Sequence, residues 1–447
     1  MGIRGNFKVV YIGPFYTGFF INTATLINSG YISIQERLLK HLKNKKKKGW
    51  FIEGGKEETT LWDTEFKSVY GGTTKTPPSF IGKLAVPLDR TLEFENVRFN
   101  IEHGIFFYHD FGVGTFRVDV SIELLEETEV RKYRELVEQF STKIGENFNP
   151  LLESNTKDLE LSLKELKIPI ESYEDFSIDL EHKGLEHLNF RSCLWYHRAF
   201  VFELERGVPI TEDDYNKYKD VLFSSQLMGP QNCSLNEYAQ VYPSFNYSLF
   251  IYDKNHLPRD IQLNRVLELA EYYYAATSLL DTILFNQFTK FTANKDKTPT
   301  IKELKEELNS LRALAEQLDL FLLILKDSIV NFSPSSVIMW RNLDNEWYYT
   351  PLLESLKEKN ILLDEKVTEK LEALTQKRAE TMNRLLKIFT IFAIIGPILE
   401  LYSIMKELNL LSFITNNFAV IAITASCLIS LLILFFYIHY KKGVGKA

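Results

Sequence analysis

The chain has 447 residues, 45% of them hydrophobic and 25% charged, with a formal net charge of −7. That length gives room for two or three domains, and the composition is that of a globular protein. The acidic balance argues against a general nucleic-acid binder, although a local basic patch can still hold phosphate. Cys193, Cys233 and Cys427 lack metal or disulfide spacing, which fits a reducing cytosolic compartment for the water-soluble part.

The apolar run 9–27 is interrupted by Gly13, Pro14, Gly18 and Asn22. It reads as strand, turn and helix start inside a folded domain, not as a targeting or membrane segment. Met1-Gly2 is followed by Asn6 where a myristoylation signal has Ser or Thr. Val9-Val10-Tyr11-Ile12 is a β-type run, and 32–42 has helical spacing. Lys45, Lys46, Lys47 and Lys48 form an unbroken basic run. It is either a solvated loop or a site for anionic lipid or nucleotide phosphate. Gly71-Gly72-Thr73-Thr74-Lys75 lacks the spacing of a phosphate loop.

The β-rich runs 105–111 and 115–122 flank Gly112-Val113-Gly114 and predict a hairpin. His103, His109 and Asp110 lie near it without the spacing of a metal site. Residues 126–167 are helical in composition, with Asn149-Pro150 expected to divide them into two pieces. Strands return at 191–205 and 246–253, separated by an acidic turn, Glu212-Asp213-Asp214, and a looser segment near Gly229. On a helix, His182 and His187 point in different directions. No zinc-protease, nucleophile-elbow or dinucleotide pattern occurs, so no catalytic residue is nominated and no enzyme is expected. The element order predicts an α+β domain with segregated layers.

From residue 262 the pattern is helical. One helix is expected over 263–291, then a linker from Lys295 to Pro299. A second helix, capped by Thr300 or Thr298, should run to about residue 332. Ser333-Pro334-Ser335-Ser336 should stop it, and the two helices are expected to pair antiparallel. Thr350-Pro351 supplies an N-cap with proline at the first helical position. Leu363, Val367, Leu371, Leu374, Met382 and Leu385 then follow near-coiled-coil spacing. An unbroken helix over 364–405 would span roughly 60 Å and needs partners, most simply further copies of itself.

Two apolar segments, 388–405 and 418–438, each approach the roughly 20 residues that cross a bilayer. They are joined by 406–417 and predict a transmembrane helical hairpin. Lys377, Arg378, Arg384 and Lys387 precede the first segment, and Lys441, Lys442 and Lys446 follow the second. The loop holds only Lys406, so both termini are placed in the cytoplasm of a multi-pass protein of the inner or plasma membrane.

The resulting plan is a cytosolic α/β sensor domain (1–260), a helical hairpin packing on the stalk (261–350) and a stalk helix (351–387). A pore-lining transmembrane helix (388–405), an external loop (406–417), a second transmembrane helix (418–438) and a basic tail (439–447) complete it. A lipid-facing carboxylate costs a few kcal/mol, so Glu400 either faces a pore or sits at the outer boundary. Asn383, Leu386 and Thr390 share one helix face, as in a pore lined by rings. Thr424, Ser426 and Ser430 suit helix–helix contact in the second segment.

Asn383-x-x-Leu386-Lys387-Ile388-Phe389-Thr390-Ile391, then a proline, a short loop, a second apolar helix and a terminal Lys-Lys, resembles the CorA family of cation channels and transporters. The resemblance runs from the stalk onward; before that it rests on element order. It implies a cytosolic α/β domain, a long stalk entering the membrane as the pore-lining helix, and a homo-oligomer, usually a pentamer. Such proteins conduct divalent cations and close when intracellular metal binds.

By that resemblance Asn383 and Thr390 are polar pore rings, and Leu386 with Phe389 the hydrophobic constriction. The family's Gly-Met-Asn filter is missing: the chain reads Ser403-Ile404-Met405-Lys406-Glu407-Leu408 there. Ordinary Mg²⁺ uptake is therefore not expected. The soluble body is also larger than is usual in the family. A CorA-like branch accompanies type III CRISPR systems, where a nucleotide second messenger is thought to act on the membrane protein.

The expectation is a pore gated through its cytosolic domain by a small molecule or ion, with membrane lipid and further copies of the chain as partners. A divalent cation is the transported ion, a nucleotide is a candidate ligand, and no resident cofactor is identified. The alternatives are a nucleotide-activated antiviral effector and a membrane-anchored scaffold without conduction.

Overall fold

The computed structural model describes residues 2–21, 31–45, 50–51, 80–94, 97–109, 111–172, 191–222, 232–233, 236–256, 263–293, 300–330 and 334–407. The chain divides into two compact units, Met1–Glu369 and Lys370–Ala447.

The first unit is built on an eight-stranded sheet in the order β3-β4-β5-β6-β1-β8-β10-β9. Its strands are β1 (Gly2–Tyr16), β3 (Trp50–Phe51), β4 (Phe80–Phe94), β5 (Val97–His109), β6 (Val113–Glu129), β8 (His197–Leu204), β9 (Ala239–Pro243) and β10 (Tyr247–Asp253). All neighbours run antiparallel except β8 and β10. The hairpin expected around Gly112 is β5–β6. A small pair, β2 (Phe19–Ile21) with β7 (Ile170–Ser172), stands apart.

β1 explains the architecture. Side chains alternate between the faces of a strand, so a strand covered on both sides reads as a continuous apolar run. Val9, Tyr11 and Phe15 enter one core, and Val10, Ile12 and Tyr16 enter the other. The first core is closed by α1 (Tyr31–Asn44) and α2 (Val130–Glu165). The second is closed by α4 (Leu263–Ala293), α5 (Ile301–Val330), α6 (Pro334–Trp347) and the start of α7 (Tyr349–Glu407). The result is one sheet between two helical layers, not helices segregated to one side. Gly13 permits a close crossing, because a Cβ there would lie 2.1 Å from the Trp195 carbonyl oxygen.

Pro150 does not divide α2, which runs through it from Val130 to Glu165. Losing one backbone bond costs about 3 kcal/mol. Against that, Phe140, Ile144, Phe148, Leu152, Leu159 and Leu163 keep one apolar face buried on both sides of the proline. Phe140 stacks on Phe99 at 4.0 Å, and Tyr11 donates its hydroxyl to the Val137 carbonyl at 2.9 Å.

The acidic turn at Glu212 is the start of α3 (Glu212–Tyr218). Thr211 and Asp214 cap each other there in a reciprocal box, and the acids sit at the positive helix end. β9, which was not expected, lies in the loose segment. Thr300 rather than Thr298 caps α5: its hydroxyl accepts from the Glu303 N–H at 3.2 Å, and its own N–H donates to Glu303 at 2.7 Å.

α5 ends at Val330, close to the expected stop, and Pro334 then starts α6, as proline at a first helical position can. Thr350 does not cap α7, which begins at Tyr349. The Thr350 N–H and hydroxyl both donate to Asp344 at 2.7 Å, tying the helix to the end of α6.

Candidate functional site

The second unit is described through α7. The whole helix has 59 residues, about 88 Å at 1.5 Å per residue. Its length up to Glu400 makes it the one helix among the described residues long and apolar enough to cross a membrane; the best window has mean hydropathy 1.6 and 0% burial. Residues 378–400 are all exposed, with Phe389 and Phe392 both at 67%. Residues 408–447, and with them the second apolar segment, most of the loop and Cys427, lie outside the described residues.

The five residues singled out on this helix fall on one side of it. At 3.6 residues per turn, Asn383, Thr390, Leu386, Glu400 and Phe389 occupy an arc of about 120°. Ile388, Phe392, Ile395 and Leu399 occupy an arc on the other side, which is apolar over 388–400; one turn earlier, Arg384 and Lys387 fall outside the polar arc. All five are exposed.

Thr390 donates its hydroxyl proton to the Leu386 carbonyl at 2.8 Å. Thr368, Thr375 and Thr381 bond back in the same way at 3.0, 2.9 and 2.9 Å. Each proton is spent inside the helix, which leaves the hydroxyl oxygen as an acceptor.

Pro397 adds a group that residue types alone did not reveal. It has no N–H, so the Ala393 carbonyl loses its helical donor. Ala393 lies within the same arc as Leu386 and Glu400. The signal was present in the sequence, four residues before the proline, but a backbone atom is not visible in a list of polar side chains.

The other predicted positions are dispersed. Lys45 is bound to Glu165 at 2.6 Å, and His41 bonds the same carboxylate at 2.8 Å. These contacts, the Lys45 bond foremost, hold the Glu165 carboxyl below the usual range. Lys45 therefore ties α1 to α2, while Lys46, Lys47 and Lys48 lie outside the described residues. His109 is buried and stacked on Tyr272 at 4.0 Å. Asp110, His182 and His187 are outside the described residues. Among the described residues, no group of three or more His, Cys, Asp or Glu side chains is placed to hold a metal ion.

One polar cluster escaped the sequence reading. It lies between the sheet and α4 in the first unit. Arg117 of β6 bonds Asp119 at 3.1 Å and approaches Glu268 at 3.7 Å. Trp195 donates its indole N–H to Glu271 at 2.6 Å. His197 bonds Ser248 through Nε2 at 2.8 Å and brings Nδ1 to 3.8 Å from Glu271.

Burial pushes the Glu271 carboxyl up to about 8, only partly offset by the Trp195 bond. Burial also pushes the His197 imidazole down to about 3. For Arg117, burial lowers the pKa, but Asp119 and Glu268 together hold it above its ordinary value. Arg117 and Asp119 share one strand face and Glu268 and Glu271 one helix face, a spacing that could have marked them.

A scan against family models found no matching model, and searches of curated proteins and of solved structures found no match.

Proposed function

We propose that the chain is a homo-oligomeric membrane pore of CorA type, gated through its N-terminal α/β unit. The observation that carries this reading is the single helix α7. Its first turns are fixed in a packed core by Leu356 and Leu363, whereas residues 378–400 are entirely uncovered. Apolar side chains on the far arc suit lipid. Asn383, Glu400 and the freed Ala393 carbonyl do not, since unsatisfied polar groups in hydrocarbon cost several kcal/mol each. Copies arranged around an axis would let each helix turn its polar arc to a water-filled lumen and its apolar arc outward.

In this reading the second apolar segment is an outer helix, both termini are cytoplasmic, and the missing Gly-Met-Asn filter argues against ordinary Mg²⁺ uptake. The enlarged first unit then suits a ligand other than plain Mg²⁺, with a nucleotide second messenger as the leading candidate. A scaffold merely anchored by its hairpin is the competing reading.

Planar-bilayer recording on the full chain tests the arc. Asn383→Ala and Glu400→Gln should each change conductance or cation selectivity, while Phe392→Leu on the far side should not. Currents from both polar variants that match the unsubstituted protein would place those side chains off the conduction path.

A further inference from the structure

We propose that Glu271 and His197 form a proton-responsive pair whose charge state sets the packing of the first turn of α7. The pair is buried, at 2% and 1% exposure, between β8 and α4. An aromatic chain leads from it to the helix. Trp195, bonded to Glu271, meets Tyr274 edge-on at 6.1 Å; Tyr274 meets Trp347 edge-on at 5.7 Å and Tyr349 at 6.3 Å. His197 lies 6.0 Å from the same Trp347. Tyr349, the first residue of α7, is buried, and its hydroxyl bonds Thr277 of α4 at 3.0 Å. All of these residues belong to the first unit.

The charged and titratable groups around the pair have few ways to absorb a new charge. β6 contributes Arg117 and Asp119, already bonded to each other, and α4 contributes Glu268 beside Arg117. β8 contributes Arg198, which is turned away to Ser141 of α2. β1 contributes the buried Tyr16, and α4 and α7 add Tyr274 and Tyr349. A neutral Glu271 accepts the indole proton and needs nothing more.

An ionised Glu271 is a bare charge with a single short donor. At 3.8 Å the His197 Nδ1 is too far for a hydrogen bond. Ionisation therefore draws the imidazole or water toward the carboxylate, pulls Trp195 off Tyr274 and loosens Tyr349.

The sign follows from the two shifts. Glu271, raised from 4.5 to about 8, gives stability that is complete below the unfolded value and is lost as pH rises toward 8. His197, lowered from 6.5 to about 3, gives the opposite trend between those values. The two oppose each other between pH 4.5 and 6.5. Above 6.5 Glu271 acts alone, and the folding equilibrium falls by up to about tenfold per pH unit until pH 8.

The test uses the full chain in detergent. Hydrogen exchange of peptides covering 340–360, corrected for intrinsic base catalysis, is followed from pH 6.5 to 9 alongside urea unfolding. The unsubstituted protein should lose protection in the first turn of α7 severalfold over that range. Glu271→Gln, which keeps the acceptor for Trp195 and cannot ionise, should hold protection constant.

Trp195→Phe removes the donor that favours the ionised form, so its transition should move to higher pH. Superposed pH profiles for the unsubstituted and Glu271→Gln proteins would overturn the proposal. An unmoved transition in Trp195→Phe would do the same. The inference uses the pore reading only for its consequence: a chain that shows the transition without conducting retains this proposal and loses that reading, and a conducting chain without the transition does the reverse.

Discussion

Residues 349–369 and 378–400 belong to one unbroken helix, yet the first stretch has one face buried and the second is exposed throughout. In the first stretch Leu356 and Leu363 are fully buried, Lys359 bonds Asp281 at 2.6 Å, and Asn360 bonds Asp319 at 2.9 Å. In the second, Leu386, Ile391 and Leu399 are 55%, 55% and 62% exposed. Burying one such side chain is worth about 1.5–3 kcal/mol, so an aqueous chain would not leave a whole helical span uncovered. The difference teaches that the first stretch is packed within the first unit, whereas in the second the cover is assigned, by the proposed pore reading, to lipid and further copies of the chain.

The sharpest way to break that comparison is to truncate one leucine in each stretch. Leu363→Ala should lower the unfolding free energy of the full chain by about 2–5 kcal/mol, because it opens a cavity in the second core. Leu386→Ala should change it by less than about 0.5 kcal/mol while altering ion flux. Equal urea midpoints for the two variants would remove the contrast.

A smaller effect is expected at Asp281, which receives Lys359 at 2.6 Å and Ser355 at 3.2 Å. Asp281→Ala should cost about 1–2 kcal/mol, as for a hydrogen bond to a charged partner at a half-buried position. Double-mutant analysis with Lys359→Met should recover most of that loss, and independent additive losses would show that the pair does not anchor α7.

The smallest expected change concerns the junction of α6 and α7. Tyr348 holds φ at 53° with its side chain 71% exposed. A left-handed backbone costs a non-glycine residue about 1–2 kcal/mol. Tyr348→Gly should relieve that strain, offset by the greater freedom of glycine in the unfolded chain, for a net gain of about 1 kcal/mol or less. A loss of stability in the same urea experiment would mean that the exposed ring contributes more than its backbone costs.

Local chemistry made much of the first unit legible. The continuous run Val9-Val10-Tyr11-Ile12 carries its own explanation once both faces of β1 are seen to be covered, and Thr300 caps the helix it was expected to cap. What misled was punctuation overruled by packing. Pro150 looks like a breaker until Phe148 and Leu152 are seen holding the same face; Pro334, read as a stop, does follow the end of α5 and also opens α6. Asp214 looks like part of a solvated turn because its capping partner, Thr211, is a weak signal.

The buried cluster around Glu271 was hidden for a different reason. Its members come from β6, β8 and the residues just before it, β10 and α4, and only the sheet order brings them together. For α7, Asn383, Leu386 and Thr390 were legible as one face because a helix preserves sequence spacing; Phe389 and Glu400 fall in the same arc. The Ala393 carbonyl was not, since it is created by the residue four positions later.

The central claim, that the uncovered arc lines a conducting path, is tested most directly by cation flux from liposomes reconstituted with the full chain. The account predicts efflux above that of empty vesicles, changed by Asn383→Ala and preserved in Phe392→Leu. Absence of flux for monovalent and divalent cations alike, with and without candidate nucleotides, would contradict it and favour the reading of a membrane-anchored scaffold.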